Sequence, residues 1–382
     1  MIYLLPLLFL ALFVVVSEYL KQPNKLESSI IYFIFLLYYT TLVALRYRVG
    51  IDTLNYMESY SMVGSLDKIA QSGVTTNFEP LYIGLCLICR SISEEFVVLQ
   101  IVHVVIINIL ITRFIFRNTR YRLTALLLYL IMGFLYFNTE IIRESIAVAL
   151  FINAIELLKN RKYLYYYAIM IIASGFHTSA LITLFVPFFM QIRFNKLFFC
   201  LLALFITLLY LFTYGKVALP LIGGSYSVAM DKVIGYLQAD SLNLNWIIVN
   251  MVRSVALPAL FLTLYNKIAA QGDEFRYSNM ILLYIIVGFG MLFIQIIFAR
   301  IGNYFLFFYV LLLTELFHKL KESRFRWMNS TLLSLLLLAH GQYYFRSTDN
   351  IVIGTRQYTQ WYPYSSIFDK RVDSQREKMW NR

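Results

Sequence analysis

The chain has 382 residues, is 60% hydrophobic and only 14% charged, and has a mean hydropathy of +0.68. A soluble domain of this size carries roughly a quarter charged residues, so a soluble fold is excluded. The net charge of +12 sits mostly on lysines and arginines of short loops. That is the pattern of topogenic charge and of contacts to anionic headgroups or pyrophosphates, and there is no soluble basic domain to bind nucleic acid.

Apolar runs of roughly 17 to 22 residues recur along the chain, the length a helix needs to cross about 30 Å of hydrocarbon. A barrel strand would instead alternate apolar and polar residues over about ten positions. The sequence therefore predicts an all-α polytopic integral membrane protein. The spans are read at about 3–20, 30–45, 96–113, 121–137, 141–158, 163–175, 178–190, 195–213, 246–266, 277–298, 301–318 and 327–345. This gives about twelve transmembrane helices, with an upper bound of about fourteen. The first run lacks a basic start and a small-residue cleavage site and reads as a retained helix.

Two stretches are ambiguous. Residues 81–92 are apolar but short, which suits a re-entrant helix. Residues 163–190 form either one over-long helix or a hairpin of two short ones. Loop charge decides between these. The clusters Lys21/Lys25, Arg113–Arg122, Lys159–Lys162, Arg193/Lys196, Lys267/Arg276 and Lys319–Arg326 fall on one side if 163–190 is a hairpin and 81–92 does not cross. That side is assigned to the cytoplasm. The loop 46–80, the corner Asn138–Arg143, His177, the loop 214–245, Arg300 and the residues after Phe345 then all face outside. The chain reads as one integral-membrane domain, 1–345, followed by a polar, tyrosine-rich external tail, 346–382, with Trp361, Tyr364 and Phe368 as docking anchors.

Polar density inside a greasy chain marks function. The densest stretch is Arg46–Tyr56, which holds Arg46, Arg48, Asp52, Asn55 and Tyr56, and Glu79-Pro80 closes the same loop. Asp52 follows Gly50-Ile51 and serves equally as a turn residue or as a base. Arg143, beside Glu140 and Glu144, opens an apolar helix. It either snorkels to the border or uses its planar guanidinium to grip a pair of phosphate oxygens. His177 sits at the Gly175-Phe176-His177 break, as a cap or as a partner of phosphate or sugar. Arg300, with Tyr304 close after it, separates two spans, and Arg253 lies within one. Cys86 and Cys89 form a CxxC inside an apolar segment without a second ligand pair, which reads as packing. No zinc spacing, Walker loop, nucleophile elbow or dinucleotide fingerprint occurs, so neither a metal nor a cofactor is expected.

These residues stand in an order that resembles the EpsG family. The match runs through Arg46-x-x-x-Gly50-x-Asp52-x-x-x-Tyr56, Glu79-Pro80-x-Tyr82, Arg143-x-x-x-Ala147, Phe176-His177-x-Ser179-Ala180 and Arg300-x-x-x-Tyr304-Phe305. Tyr362-Pro363-Tyr364 is similar to the family's late aromatic-proline segment. Glu144 departs from the glutamine expected after the arginine. The resemblance implies a Wzy-like polymerase of capsule, exopolysaccharide or O-antigen, built as a GT-C-like helical bundle with external loops in the bacterial cytoplasmic membrane.

The implied reaction joins undecaprenyl-pyrophosphate-linked oligosaccharide repeat units by glycosyl transfer on the outer face. The implied surroundings are membrane lipids and the flippase and chain-length regulator of the pathway. In that scheme Arg143 and Arg300 hold the donor pyrophosphate, and Arg46 or Arg48 a second one. Arg253, Tyr56 and Tyr304 line the glycan path, His177 positions phosphate or sugar, and Asp52 or Glu79 takes the acceptor's proton. A flippase of lipid-linked oligosaccharides would use the same arginines. It would also call for a cavity open alternately to both sides and for internal pseudo-symmetry. A glycan acyltransferase would call for a histidine deep in a channel reached from the cytosol.

Overall fold

The computed structural model describes residues 2–21, 24–63, 78–191, 244–269, 274–292, 295–323, 328, 329, 331, 333, 351–353, 356–358 and 360–372. The expected span 195–213, nearly all of the loop 214–245 and most of the span 327–345 lie outside these residues. The chain forms two compact units, one of Met1–Leu184 with Leu313–Arg382, the other of Phe185–Leu312.

The first unit begins with α1 (Leu4–Phe13), which runs on as a π-type segment, Val14–Leu20. Helix α2 (Lys25–Ala44) starts where the Asn24 side chain accepts hydrogen bonds from the N–H groups of Leu26 and Glu27, which would otherwise lack partners. Then come α3 (Thr53–Met62), α4 (Pro80–Ile92), α5 (Val97–Asn118), α6 (Arg122–Met132), α7 (Phe134–Thr139), α8 (Ile142–Lys159), α9 (Tyr163–Ser174) and a 3-10 segment, Thr178–Phe185. The second unit holds α10 (Val186–Gln191), α11 (Leu244–Met251), a π-type segment Val252–Ala256, α12 (Leu257–Ile268), α13 (Ser278–Gly290) and the start of α14 (Gln295–Glu322). A two-stranded antiparallel pair, β1 (Ile351–Ile353) and β2 (Arg356–Tyr358), with Val352 opposite Gln357, is a small addition to the expected all-helical chain.

Four helical stretches among the described residues are long and apolar enough to cross a membrane: Lys25–Ala44, Val97–Asn118, Ile248–Ile268 and Ile297–Glu322. Shorter apolar helices, Leu4–Leu20, Arg122–Met132 and Tyr163–Ser174 among them, accompany these. Large apolar side chains such as Leu8, Leu37, Ile109 and Leu164 stay exposed on them, as a lipid-facing surface requires. The chain is an integral membrane protein. The described residues alone do not test the about twelve crossings read from hydropathy; within them the expected span 121–137 breaks at Gly133 into α6 and α7.

Inside the first unit the helix ends gather at two opposite places. At one, the carboxylate of Glu18 accepts the N–H groups of Leu123 and Thr124 and so caps α6. Arg122 bonds the Lys25 carbonyl, Arg117 pairs with Glu156, and Thr119 bonds Glu315. At the other, Gln100 near the start of α5 donates to the carbonyls of Ala44 and Arg46 at the end of α2. The chain therefore leaves α2 and enters α5 at the same end, so α3 and α4 make no net crossing between them. Within the first unit, residues 163–184 fold back as a hairpin, for the Tyr166 hydroxyl donates to the Thr183 carbonyl at 2.6 Å. Gly175 is the tip: its carbonyl accepts the Leu81 N–H at 2.9 Å, and a Cβ there would lie 2.7 Å from the Leu81 side chain.

Candidate functional site

Two arginine clusters lie on this second end, and the chain builds them differently. The first belongs to Arg46. The residue is 2% exposed. Its guanidinium donates to the carbonyls of Val43 at 2.6 Å, Val49 at 3.1 Å and Thr139 at 3.4 Å. Next to it, Gly50 adopts φ 111°, a region that favours glycine. A Cβ there would come within 2.8 Å of a Glu140 carboxylate oxygen. This lets the chain turn tightly into α3. Glu140 is itself buried, and its oxygens accept the Asp52 N–H at 2.9 Å and the Trp361 indole N–H at 3.0 Å. Burial pushes the Glu140 carboxyl up, assisted by the nearby Asp52 charge, against the lowering effects of the Asp52 N–H, Thr139 and Arg46. Burial likewise lowers the Arg46 guanidinium to about 10.

The tail completes this cluster. Tyr47 N–H bonds the Ser365 carbonyl at 2.8 Å and Ile367 N–H the Leu45 carbonyl at 2.9 Å. The Tyr364 hydroxyl reaches the Leu42 carbonyl. Arg46, offered by the sequence together with Arg48 as the holder of a second pyrophosphate, here spends these donors on main-chain carbonyls. It ties α2, the Asp52 loop and the α7–α8 corner together. Arg48, half-buried with φ 53°, sits in the same turn.

The second cluster belongs to Arg143, in the first turn of α8. Its guanidinium lies 4.6 Å from the centre of the Phe78 ring and 5.8 Å from that of Tyr82. Nη1 donates to Glu79 at 2.5 Å, and the Tyr56 side chain is a further hydrogen-bond partner. The other Glu79 oxygen accepts the Thr178 N–H at 3.0 Å. Pro80, in the first turn of α4, fixes the backbone that presents Glu79. Burial alone would raise the Glu79 carboxyl. The charge of Arg143, then the Thr178 N–H and the charge of His177, overcome that and hold it below the usual carboxylate range. His177 is buried, with Nδ1 2.6 Å from the Ser179 hydroxyl. Beneath the cluster, Tyr56, Tyr60, Tyr82, Cys86, Cys89, Phe96 and Ile142 pack as one apolar core.

Four sequence-predicted residues, Tyr56, Glu79, Arg143 and His177, are therefore gathered by α3, α4, α8 and the hairpin tip. Asp52 stands one helical turn before Tyr56, whose N–H bonds the Asp52 carbonyl. Arg253, Arg300 and Tyr304 lie in the second unit: Arg253 in the π-type segment, Arg300 half-buried on α14, and Tyr304 fully buried. Sequence reasoning missed Phe78 as a wall for Arg143 and the Thr178 N–H as a seat for Glu79. The run Phe78-Glu79-Pro80-Leu81-Tyr82, an acid between two aromatics, was the available signal.

An arginine flanked by two rings and turned toward a single carboxylate suits an anionic ligand. The sequence pattern of the EpsG family matches residues 29–366, and so takes in both clusters and the Trp361 segment. The chain belongs to the EpsG family. No curated protein and no solved structure matches it. The EpsG assignment connects the chain with polysaccharide biosynthesis of the polymerase kind.

Proposed function

We propose that the protein polymerises undecaprenyl-pyrophosphate-linked oligosaccharide repeat units into a surface polysaccharide, at the outer face of the bacterial cytoplasmic membrane. The observation that carries this reading is the Arg143 cluster, a membrane-border arginine beside Glu79, Tyr56 and His177 in a chain of the EpsG family. In this scheme Arg143 holds the donor's pyrophosphate and offsets the charge that develops as it leaves. His177 orients a phosphate or sugar oxygen, and one of the carboxylates, Asp52 or Glu79, takes the proton of the attacking acceptor hydroxyl. Arg253 and Arg300 are the second unit's own candidates for anionic contacts.

The test is Arg143→Ala in cells, read by polymer yield, polymer length and lipid-linked intermediates. The expected result is a loss of polymer of about a hundredfold or more with normal protein level, and single repeat units exported or capped. Polymer of normal length and yield would overturn the donor assignment. Repeat units retained inside would point to a flippase instead.

A further inference from the structure

The ion pair between Arg143 and Glu79 poses a chemical difficulty for a base at this site. A carboxylate locked on a guanidinium at 2.5 Å is a weak proton acceptor. The same guanidinium is not saturated. Its Nε–H is buried and has no hydrogen-bond partner, while Nη1 is on Glu79 and Tyr56 supplies a further contact. Buried unpaired donors are uncommon and destabilising, and a guanidinium reaches its best geometry when Nε and an Nη grip two oxygens of one anion. Glu79 meanwhile has a second seat of its own, the Thr178 N–H at 3.0 Å, with His177 next in the chain. It does not depend on Arg143 to stay in place.

We propose that Glu79 is a stand-in for the donor's phosphate. It occupies Arg143 in the empty protein and yields it to the arriving pyrophosphate. It thereby becomes the base of the transfer. The inference rests on the donor-site reading above and adds to it the choice of Glu79 over Asp52.

Pyrophosphate oxygens pair with Nε and Nη of Arg143, and the Glu79 carboxylate stays on the Thr178 N–H with its counter-charge gone. Without that counter-charge the still-ionised carboxylate has a higher proton affinity and is a stronger base. The acceptor hydroxyl attacks the anomeric carbon as the bond from that carbon to the pyrophosphate oxygen breaks. The bonding pair leaves with the lipid pyrophosphate, still held by Arg143, and the hydroxyl proton passes to Glu79. When the product leaves, Glu79 gives up the proton to water and returns to Arg143. The groups facing Glu79 through this exchange are Arg143 from α8, with Tyr56 beside it from α3, Tyr82 from its own helix, and His177 and Thr178 from the hairpin tip.

The experiment titrates inorganic pyrophosphate into the purified full chain in nanodiscs, by calorimetry, for the unaltered protein, Arg143→Ala, Glu79→Gln and Asp52→Asn. In Glu79→Gln the amide oxygen still accepts the Thr178 N–H, so the tip keeps its seat, and the thermal transition of each variant checks folding. If Glu79 is a competitor, Glu79→Gln binds pyrophosphate about fivefold or more tighter than the unaltered protein. If it is only a brace for Arg143, the same change binds equally or more weakly, which overturns the proposal. Turnover of lipid-linked repeat units by Glu79→Gln falls about a hundredfold or more although binding is tighter. Unchanged turnover there, with the loss appearing in Asp52→Asn, overturns the base assignment. Arg143→Ala binding pyrophosphate as well as the unaltered protein would sink the donor-site reading itself, whatever Glu79 does.

Discussion

Arg46 and Arg143 stand in the same unit, each beside a carboxylate and each near a helix end, yet their surroundings differ. Arg46 is 2% exposed, and its donors point at three main-chain carbonyls. Its neighbouring acid, Glu140, is filled by donors from the Asp52 backbone and Trp361. Arg143 has an 18% exposed side chain, two aromatic rings for walls, one exchangeable carboxylate, and a donor still unpaired. What separates them is the kind of acceptor. A carbonyl of the folded backbone cannot step aside for a ligand, whereas a side-chain carboxylate can.

The comparison breaks first at Arg46. Arg46→Ala takes a donor from the carbonyls of Val43, Val49 and Thr139, of which Val49 keeps the Thr53 hydroxyl. At about 1–3 kcal/mol for each of the other two groups the fold loses about 2 kcal/mol or more. The expected result is low membrane abundance and a lowered Tm, with polymer per folded molecule preserved. A normal Tm with lost polymer would make Arg46 a second chemical arginine.

The next effect is a matter of pH. Because Arg143 holds the Glu79 carboxyl below its ordinary range, the pair's contribution to stability is present above the unfolded value of about 4.3. It is lost as pH falls through the depressed folded value. The stability gap between the unaltered protein and Arg143→Ala, about 1–2 kcal/mol at neutral pH, should shrink on acidification below the ordinary carboxylate range. Thermal unfolding across pH in detergent measures it, and a gap that is constant with pH would mean that the pair is not what Arg143 contributes.

The smallest effect is at the tail. Trp361→Phe keeps a buried aromatic ring, smaller than the indole, and removes one indole donor shared between Thr139 and Glu140. It should cost about 1 kcal/mol and speed proteolysis after the last helix. Unaltered proteolysis would show that the main-chain pairing at residues 365–367 is sufficient without it.

Much of this was legible in the residues. Loop charge pointed to the 163–190 hairpin with Gly175–His177 as its tip, and the Tyr166–Thr183 bond shows that fold over 163–184. It also asked that 81–92 make no crossing; Gln100 bridging to Ala44 and Arg46 shows the coarser fact that the stretch between α2 and α5 makes no net crossing. The different fates of Arg46 and Arg143 were not legible. Both stand in polar motifs at helix borders, and only tertiary packing decides which one meets carbonyls. Glu140 looked like one of two acids near Arg143. Its actual partners come from the Asp52 loop and from Trp361, 221 residues further on, a separation that no local pattern reports.

The pairing of residues 45–47 with 365–367 has a bearing on how the protein is made. The Asp52 loop leaves the ribosome well before the segment that holds its flank. Until Trp361 and Ser365 have been synthesised and brought to that end of the bundle, Glu140 lacks one donor and the main chain at Tyr47 lacks its acceptor. The early helices can therefore insert and pack with the site still unfinished. A chain interrupted before residue 361 would carry Arg143, Glu79 and His177 beside an Asp52 loop with nothing to close it. Closure of the Asp52 loop therefore waits on a segment made long after the loop itself.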